Sequence, residues 1–290
     1  GDDQVYAGNG NNNITSGDGD DEISVGLGSN QVFAEAGSDV ISIASGHAYG
    51  GDGNDNIIAG NGGVYLDGGD GADHLVGGLG DDTFIVDELD TYEENSPEGG
   101  YDTIHIAQSI DLALNNFEAV TLLGNQDIDA YGDDFDNTLI GNSGNNYIDG
   151  RTGSDFMAGG QGNDYYVVDV TDTVSTDEEG NKFILNGDEV VEEENSGIDT
   201  IERWEDAIFI STDENGQPIL SANHRILENN IENLILKGQA KTAFGNELNN
   251  IIVGNEQDNY IDGLAGDDTY VFSQGGGTDT LSFHDDVQAF

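Results

Sequence analysis

The sequence predicts an all-β fold, a right-handed parallel solenoid of very short strands. Three observations predict it: a nine-residue self-similarity, glycines at fixed phases within it, and one apolar residue near the end of each copy. From Ala7 the chain divides into AGNGNNNIT (7–15), SGDGDDEIS (16–24), VGLGSNQVF (25–33) and AEAGSDVIS (34–42). A seven-residue copy, IASGHAY (43–49), precedes GGDGNDNII (50–58), AGNGGVYLD (59–67), GGDGADHLV (68–76) and GGLGDDTFI (77–85). A second array fills 132–167 and ends in GGQGNDYYV. A third runs from Gly245 through GLAGDDTYV (263–271) to QGGGTDTLS (274–282), with Phe272 and Ser273 inserted.

Each unit reads as a six-residue polar loop followed by a three-residue strand. Glycine at positions 1, 2 and 4 lets the backbone adopt positive φ and curl tightly. The middle strand residue, position 8, is apolar: Ile14, Ile23, Val32, Ile41, Ile57, Leu66, Leu75 and Phe84, then Leu139, Ile148, Met157 and Tyr166, then Ile252, Ile261, Tyr270 and Leu281. A three-residue strand with one inward side chain cannot fold alone. Stacked copies build a narrow apolar ladder, two units making one 18-residue turn with a loop at each edge.

A longer period overlies the short one, with 77–158 and 159–262 aligning and 263–290 starting a third copy. Asn116-Phe117-Glu118-Ala119-Val120 matches Asn230-Ile231-Glu232-Asn233-Leu234, and the second copy carries insertions near 175–187 and 211–226. The expected organisation is a first array (1–85), irregular β connecting rungs (86–131), a second array (132–167), connecting rungs with insertions (168–244) and a third, truncated array (245–290). Two small capping domains are the alternative for the connecting stretches.

The balance of 59 Asp+Glu against 6 Lys+Arg, a formal charge of −53, argues against nucleic acid or an anionic membrane as partner, since both need a basic patch. With no Cys there is no disulfide, thiolate zinc site or thiol nucleophile. No apolar run approaches the ~20 residues of a transmembrane helix. Acidity alone would suggest disorder, yet 35% of the residues are hydrophobic, so a fold that neutralises its own charge is expected. The chain begins Gly1-Asp2-Asp3 inside the motif and stops on Phe290, as a piece of a longer protein would. The missing signal peptide therefore says little about export.

Position 6 carries the chemistry. A cation of calcium's size takes six to eight oxygens at ~2.3–2.6 Å, mixing carboxylates with carbonyls, whereas magnesium demands a tighter octahedron. A glycine-rich loop turns carbonyls inward, and the Asp adds charge. The units at 50–58, 68–76, 77–85 and 159–167 match GGxGxDxUx at every fixed position. On these motifs the sequence resembles the RTX (haemolysin-type calcium-binding nonapeptide repeat) family. The resemblance implies a parallel β-roll or β-helix with several calcium ions in its turns. Each ion would lie between successive loops, held by carbonyls of positions 1, 3 and 5 and the position-6 carboxylate. Carried onto this chain, the metal candidates are Asp3, Asp18, Asp21, Asp39, Gly50, Asp52, Asp55, Gly68, Asp70, Asp73, Asp82, Asp155, Asn163, Asp164, Asp268 and Asp279.

The two edges differ. In the first array position 6 reads Asp3, Asp21, Asp39, Asp55 and Asp73 on one edge, and Asn12, Asn30, Ala48, Val64 and Asp82 on the other. Calcium is expected along the first edge and little along the second. A halophilic surface would also be acidic, but would not place Asp at fixed loop phases. The Glu-rich stretches Glu192-Glu193-Glu194 and Asp177-Glu178-Glu179 read as solvated, His74 as a surface residue, and Arg203-Trp204 as local packing.

No HExxH, P-loop or G-x-S-x-G motif is present, and carboxylate pairs are too numerous to be informative, so no enzyme active site is expected. An ice-binding threonine row is missing from positions 3 and 5. The function expected is a calcium-folded structural or adhesive module of a secreted bacterial RTX surface protein, a substrate of type I secretion. The alternative is the accessory repeat block of a secreted enzyme or toxin. Partners would be calcium and an extracellular or cell-surface ligand, with the segment monomeric.

Overall fold

The structure, a computed structural model, describes residues 1–94, 100–169, 174–176, 182–184, 188–204, 227–272 and 276–283. The insertion at 211–226, most of that at 175–187, and Asp177-Glu178-Glu179 lie outside them. The chain forms two compact units, Gly1–Leu123 and Gly124–Phe290, so the division falls inside the stretch 86–131. Among the described residues there is no α-helix, and hence no helix long and apolar enough to cross a membrane.

In the first unit, strands β1 (Gln4–Ala7), β3 (Glu22–Val25), β5 (Val40–Ile43), β7 (Asn56–Ala59), β9 (His74–Val76) and β11 (Thr91–Glu93) form one parallel sheet. The intervening β2 (Asn13–Asp18), β4 (Asn30–Ala36), β6 (Gly46–Asp52), β8 (Val64–Asp70), β10 (Thr83–Val86), β12 (Thr103–Ile106) and β14 (Ala119–Leu122) form the other. A short β13 (Ile110–Asp111) and one 3-10 turn (Leu112–Leu114) lie between β12 and β14. The alternation of strands between two parallel sheets is a β-solenoid, the class the repeat predicts.

Its core is two ladders of stacked side chains. Ile23, Ile41, Ile57 and Leu75 pair in register on one sheet. Val32, Ala48, Leu66, Phe84, Ile104 and Val120 do so on the other. All ten are at most 1% exposed, and each large one contributes about 1.5–3 kcal/mol by leaving water. Position 1 adds a further buried column on the first sheet, Val25, Ile43 and Ala59, and buried Ala34 on the other. Ile14 stays half-buried because β2 is the outermost strand of its sheet.

Two features depart from the sequence reading. Strands β2, β4, β6 and β8 run six or seven residues, past the corner into the next loop, because Gly17, Glu35, Gly51 and Gly69 remain paired in register. In the seven-residue copy, Ala48 pairs with Val32 and Leu66 and is an inward strand residue. The position-6 place in that turn belongs to Gly46, opposite Asn30 and Val64. The missing two residues are removed from the loop, since shortening the strand would break the ladder.

In the second unit, strands β15 (Ala130–Tyr131), β17 (Tyr147–Asp149), β19 (Tyr165–Val168), β23 (Thr200–Arg203), β24 (Asn233–Leu236), β26 (Ile251–Val253) and β28 (Thr269–Val271) form one parallel sheet. Smaller sets are β16 (Thr138–Ile140), β18 (Phe156–Ala158) and β22 (Glu189–Val190), and β25 (Thr242–Phe244), β27 (Tyr260–Asp262) and β29 (Thr280–Ser282). The pair β20 (Val174–Thr176) and β21 (Lys182–Ile184) is an antiparallel hairpin. Residues of 168–244 continue the ladder of the arrays, since Tyr166, Ile201, Leu234, Ile252 and Tyr270 pair in sequence.

Candidate metal centre

Along one edge of the first unit the position-6 carboxylates form a hydrogen-bonded column. Each accepts, through Oδ1, the N–H of the position-6 residue one rung earlier: Asp3 to Asp21 (2.7 Å), Asp21 to Asp39 (2.7 Å), Asp39 to Asp55 (2.8 Å) and Asp55 to Asp73 (2.7 Å). Asp21, Asp39, Asp55 and Asp73 are at most 2% exposed, while Asp3 is exposed. Oδ2 of Asp39, Asp55 and Asp73 is buried without a hydrogen-bond partner, as is Oδ2 of Asp155 and Asp164 in the second unit. Buried carboxylate oxygens normally find donors, because an unsatisfied one costs its full desolvation.

The backbone at position 2 sets this geometry. It is left-handed in all of these loops: Gly17 (φ 101°), Glu35 (78°), Gly51 (116°), Gly69 (98°), Arg151 (64°) and Gly160 (96°). Leu264 (64°) places the loop of half-buried Asp268 in the same class. In this open form the position-2 N–H points away from the position-6 side chain, and Arg151 and Leu264 give theirs to Asp149 and Asp262 instead. Glu35, Arg151 and Leu264 hold a conformation that disfavours any residue with a Cβ, by about 1–2 kcal/mol.

The remaining loops are closed. There position 2 is not left-handed, and in five of them its N–H bonds the position-6 side chain: Gly78 to Asp82 Oδ2 (2.7 Å), Asp133 to Asn137 (2.7 Å), Asn142 to Asn146 (2.9 Å), Asn246 to Asn250 (2.9 Å) and Asn255 to Asn259 (3.0 Å). At Asn30 the side-chain amide donates to the carbonyls of Gly26 (2.7 Å), Gly28 (3.3 Å) and Ser45 (2.9 Å), and Asn12 donates likewise to Gly8 and Gly10. Amide hydrogens there satisfy the carbonyl oxygens that a cation would otherwise coordinate.

The other candidates occupy different places. Gly50 and Gly68 lie against the carboxylates: a Cβ on either would sit 2.1 Å from Oδ2 of Asp55 or Asp73, so a side chain at these two positions would displace the Asp, whereas Ser16 and Ala34 hold position 1 in the Asp21 and Asp39 loops. Asp18, Asp52 and Asp70 extend exposed side chains, and the carbonyls of Asp52 and Asp70 accept position-4 N–H groups from the rung before (2.9 and 2.8 Å). Asn163 is exposed and accepts the Ile198 N–H (2.8 Å), a rung-to-rung bond that Asp20 and Asn54 also make from position 5. Asp82 is in a closed loop. Asp279 accepts the Asn259 N–H (2.9 Å), and part of its own loop lies outside the described residues.

Burial and neighbouring carboxylates raise these acids. Burial pushes Asp39 up, and lifts Asp55 and Asp73 to about 6, Asp164 to about 7 and Asp155 to about 8. Asp21 goes the other way, its carboxyl held low by the Ser16 hydroxyl and the Asp3 N–H. Without a cation the fold holds acids that resist ionisation. The donor set is all oxygen, carboxylate plus carbonyl, which suits a hard cation of calcium's size.

The RTX calcium-binding nonapeptide repeat (4 copies) matches this chain at residues 1–32, 15–47, 49–84, 131–166 and 244–281, together more than half its length. The chain belongs to this RTX family. Its metal is calcium, and it is a calcium-binding structural module built of RTX repeats. No curated protein matches the sequence.

The RTX matches stop at 84 and 166, yet the carboxylate columns continue beyond them. Asp90 accepts the Asp73 N–H (2.9 Å), Asp102 that of Asp82 (2.7 Å), Asp188 that of Asp155 (3.2 Å) and Asp199 that of Asp164 (2.8 Å). These acids were missed because their loops lack the opening glycines. A signal existed: Gly100-Tyr101-Asp102-Thr103-Ile104 and Gly197-Ile198-Asp199-Thr200-Ile201 keep the second half of the repeat.

Glu192 corrects the solvated reading of its stretch. It is 8% exposed and accepts from the hydroxyls of Tyr166 and Ser196, while Glu193 and Glu194 are exposed. His74 is half-buried, its Nδ1 3.0 Å from Thr91 Oγ1. Arg203 and Trp204 form no joint surface: Arg203 is buried beside Glu228 (3.8 Å), whereas Trp204 is exposed and donates to Glu202 (2.8 Å).

Proposed function

We propose that calcium occupies the open RTX loops, along the edge of Asp21, Asp39, Asp55 and Asp73 and at Asp155, Asp164 and Asp268. The closed loops of Asn12 and Asn30 stay metal-poor. One observation carries this reading: among the described residues, the stacked, buried carboxylates whose Oδ2 lacks a donor occur only in loops whose position 2 is left-handed. The position-6 Asp of these loops supplies charge, and the next rung's backbone supplies the remaining oxygens.

On this reading the chain is a calcium-folded structural or adhesive module of a secreted RTX surface protein, passing unfolded through a type I exporter and folding outside. A thin core and mutually repelling acids leave the metal-free chain little to set against conformational entropy. Each ion bound only by the fold adds about 2.7 kcal/mol at one hundred times Kd. Several ions therefore switch folding on together. The supra-repeat of 77–158 and 159–262, whose two copies build corresponding rungs, favours a repetitive surface protein over the accessory block of an enzyme.

The test is far-UV circular dichroism with calcium titration. A coil spectrum in EDTA and a cooperative β spectrum in millimolar calcium are expected. A β spectrum indifferent to EDTA would remove the proposal.

A further inference from the structure

In the second unit, Asp164, Glu192 and Asp199 are all buried and bring one carboxylate oxygen each to within 4.8 Å of one another. Only Asp164 belongs to an RTX repeat match. Glu192 follows β22, and Asp199 immediately precedes β23. Asp164 is 1% exposed; its Oδ1 takes the Asn146 N–H (2.7 Å), and its Oδ2 has no partner. That oxygen faces Gly159, where a Cβ would lie 2.2 Å from it and 2.4 Å from the Tyr166 hydroxyl. The same hydroxyl donates to Glu192, so the partnerless oxygen of Asp164 and the Glu192 carboxylate share one small space.

The other two acids are held in place. Ser196 donates to Glu192 (2.8 Å), and Asp199 accepts the Asp164 N–H (2.8 Å). The Asn230 side chain, at φ 66°, donates to the Glu192 carbonyl (2.8 Å), and Glu232 accepts the Asp199 N–H (2.9 Å). Neither Lys nor Arg pairs with any of the three carboxylates among the described residues. Three buried carboxylates with one partnerless oxygen are relieved by taking up protons or by a bound cation, and a divalent cation offsets two of the three charges while leaving them ionised.

We propose that Asp164, Glu192 and Asp199 form a composite calcium site, in which an RTX loop is completed by two acids from the connecting stretch in place of a second glycine-rich loop. It rests on the reading that the open loop of Asp164 is a calcium loop, and adds Glu192 and Asp199 as its ligands. Mixed carboxylate and carbonyl oxygens in an irregular setting favour calcium over magnesium. The first unit repeats the carboxylate set in Asp82, Glu94 and Asp102, also buried and within 4.8 Å. There Phe84 replaces Tyr166 and Gly78 N–H occupies Asp82 Oδ2, so the assignment is confined to the second unit.

The test is calcium stoichiometry of the 290-residue chain by equilibrium dialysis, with folding followed by circular dichroism. Glu192→Gln keeps the shape and an acceptor for Tyr166 but removes one charge. It is expected to fold in saturating calcium and to bind one ion fewer than wild type; an unchanged count overturns the composite site. Asp55→Asn separates the two readings: if it loses an ion while Glu192→Gln does not, the loop reading stands and this one falls. Should Glu192→Gln fail to fold, terbium replaces calcium in the wild type and in Tyr166→Phe, which keeps all three carboxylates. Loss of tyrosine-sensitised emission in that variant supports the site, and unchanged emission overturns it.

Discussion

Asp55→Asn should move stability in opposite directions with and without calcium. In the metal-free fold, burial and the flanking Asp39 and Asp73 carboxylates lift Asp55 from 3.8 to about 6. At about 1.4 kcal/mol per unit this is about 3 kcal/mol of unfavourable ionisation at neutral pH, of which solvent screening at the loop edge leaves on the order of 1–2 kcal/mol. Asparagine removes that penalty and still accepts the Asp39 N–H. Its amide can also donate to loop carbonyls, as Asn30 does to Gly26 and Gly28. With calcium the balance reverses, because one site worth about 2.7 kcal/mol at one hundred times Kd is lost. The assay is osmolyte-induced folding in EDTA beside urea unfolding in millimolar calcium. A shift toward the folded state in EDTA and away from it in calcium is expected. Equal destabilisation under both conditions would mean that Asp55 is only a structural acceptor, and would refute the reasoning.

Three other outcomes are expected. Gly71→Ala puts a Cβ 1.5 Å from the Gly53 carbonyl at φ 154°, so it should lose at least about 2 kcal/mol in calcium. Gly10→Ala, where a Cβ meets nothing within 4 Å, should lose only the conformational part, about 1 kcal/mol; equal losses by urea midpoint would contradict the stacking geometry. Glu35→Gly relieves a left-handed residue (φ 78°) and should gain up to about 1 kcal/mol in the same assay. The pH dependence follows from the raised acids. A carboxyl whose folded value exceeds its unfolded 3.8 binds its proton more tightly in the fold. The metal-free fold therefore gains stability as pH falls through about 8 for Asp155, 7 for Asp164 and 6 for Asp55 and Asp73. In EDTA the β signal should grow from pH 8 to 5, above the pI of about 4.1, while calcium affinity declines over that window as protons compete. A β signal that shrinks on acidification contradicts the assignment.

The ladder and the position-6 column were legible because both depend on period alone: Ile41 and Asp39 recur as Ile57 and Asp55 whatever the loop between them does. The difference between open and closed loops was less so, since it turns on one backbone angle. Glu35 and Leu264 take it without being glycine, while Gly26 and Gly78 decline it. Ala48 was misplaced because counting cannot show whether loop or strand was shortened, and the cost of breaking the ladder decides it. Glu192 was hidden by its neighbours: two of three consecutive glutamates are solvated, and only the pairing of β22 with β18 turns the other inward.

The side-chain bonds between rungs also have a direction. From position 6, Asp39 reaches back to the N–H of Asp21, whereas from position 5, Asp20 reaches forward to the N–H of Ser38. A partly assembled stack therefore has two unlike growing faces. The face toward low residue numbers presents position-6 carboxylates awaiting N–H groups, and it is attractive to divalent ions. The face toward high numbers presents those amide hydrogens and the position-5 side chains Asp20, Ser38, Asn54 and Ala72, of which only Asp20 is charged, so it draws cations less. Raising calcium should thus speed the addition of rungs at one face more than at the other, giving zippering of near-identical repeats a preferred sense along the chain.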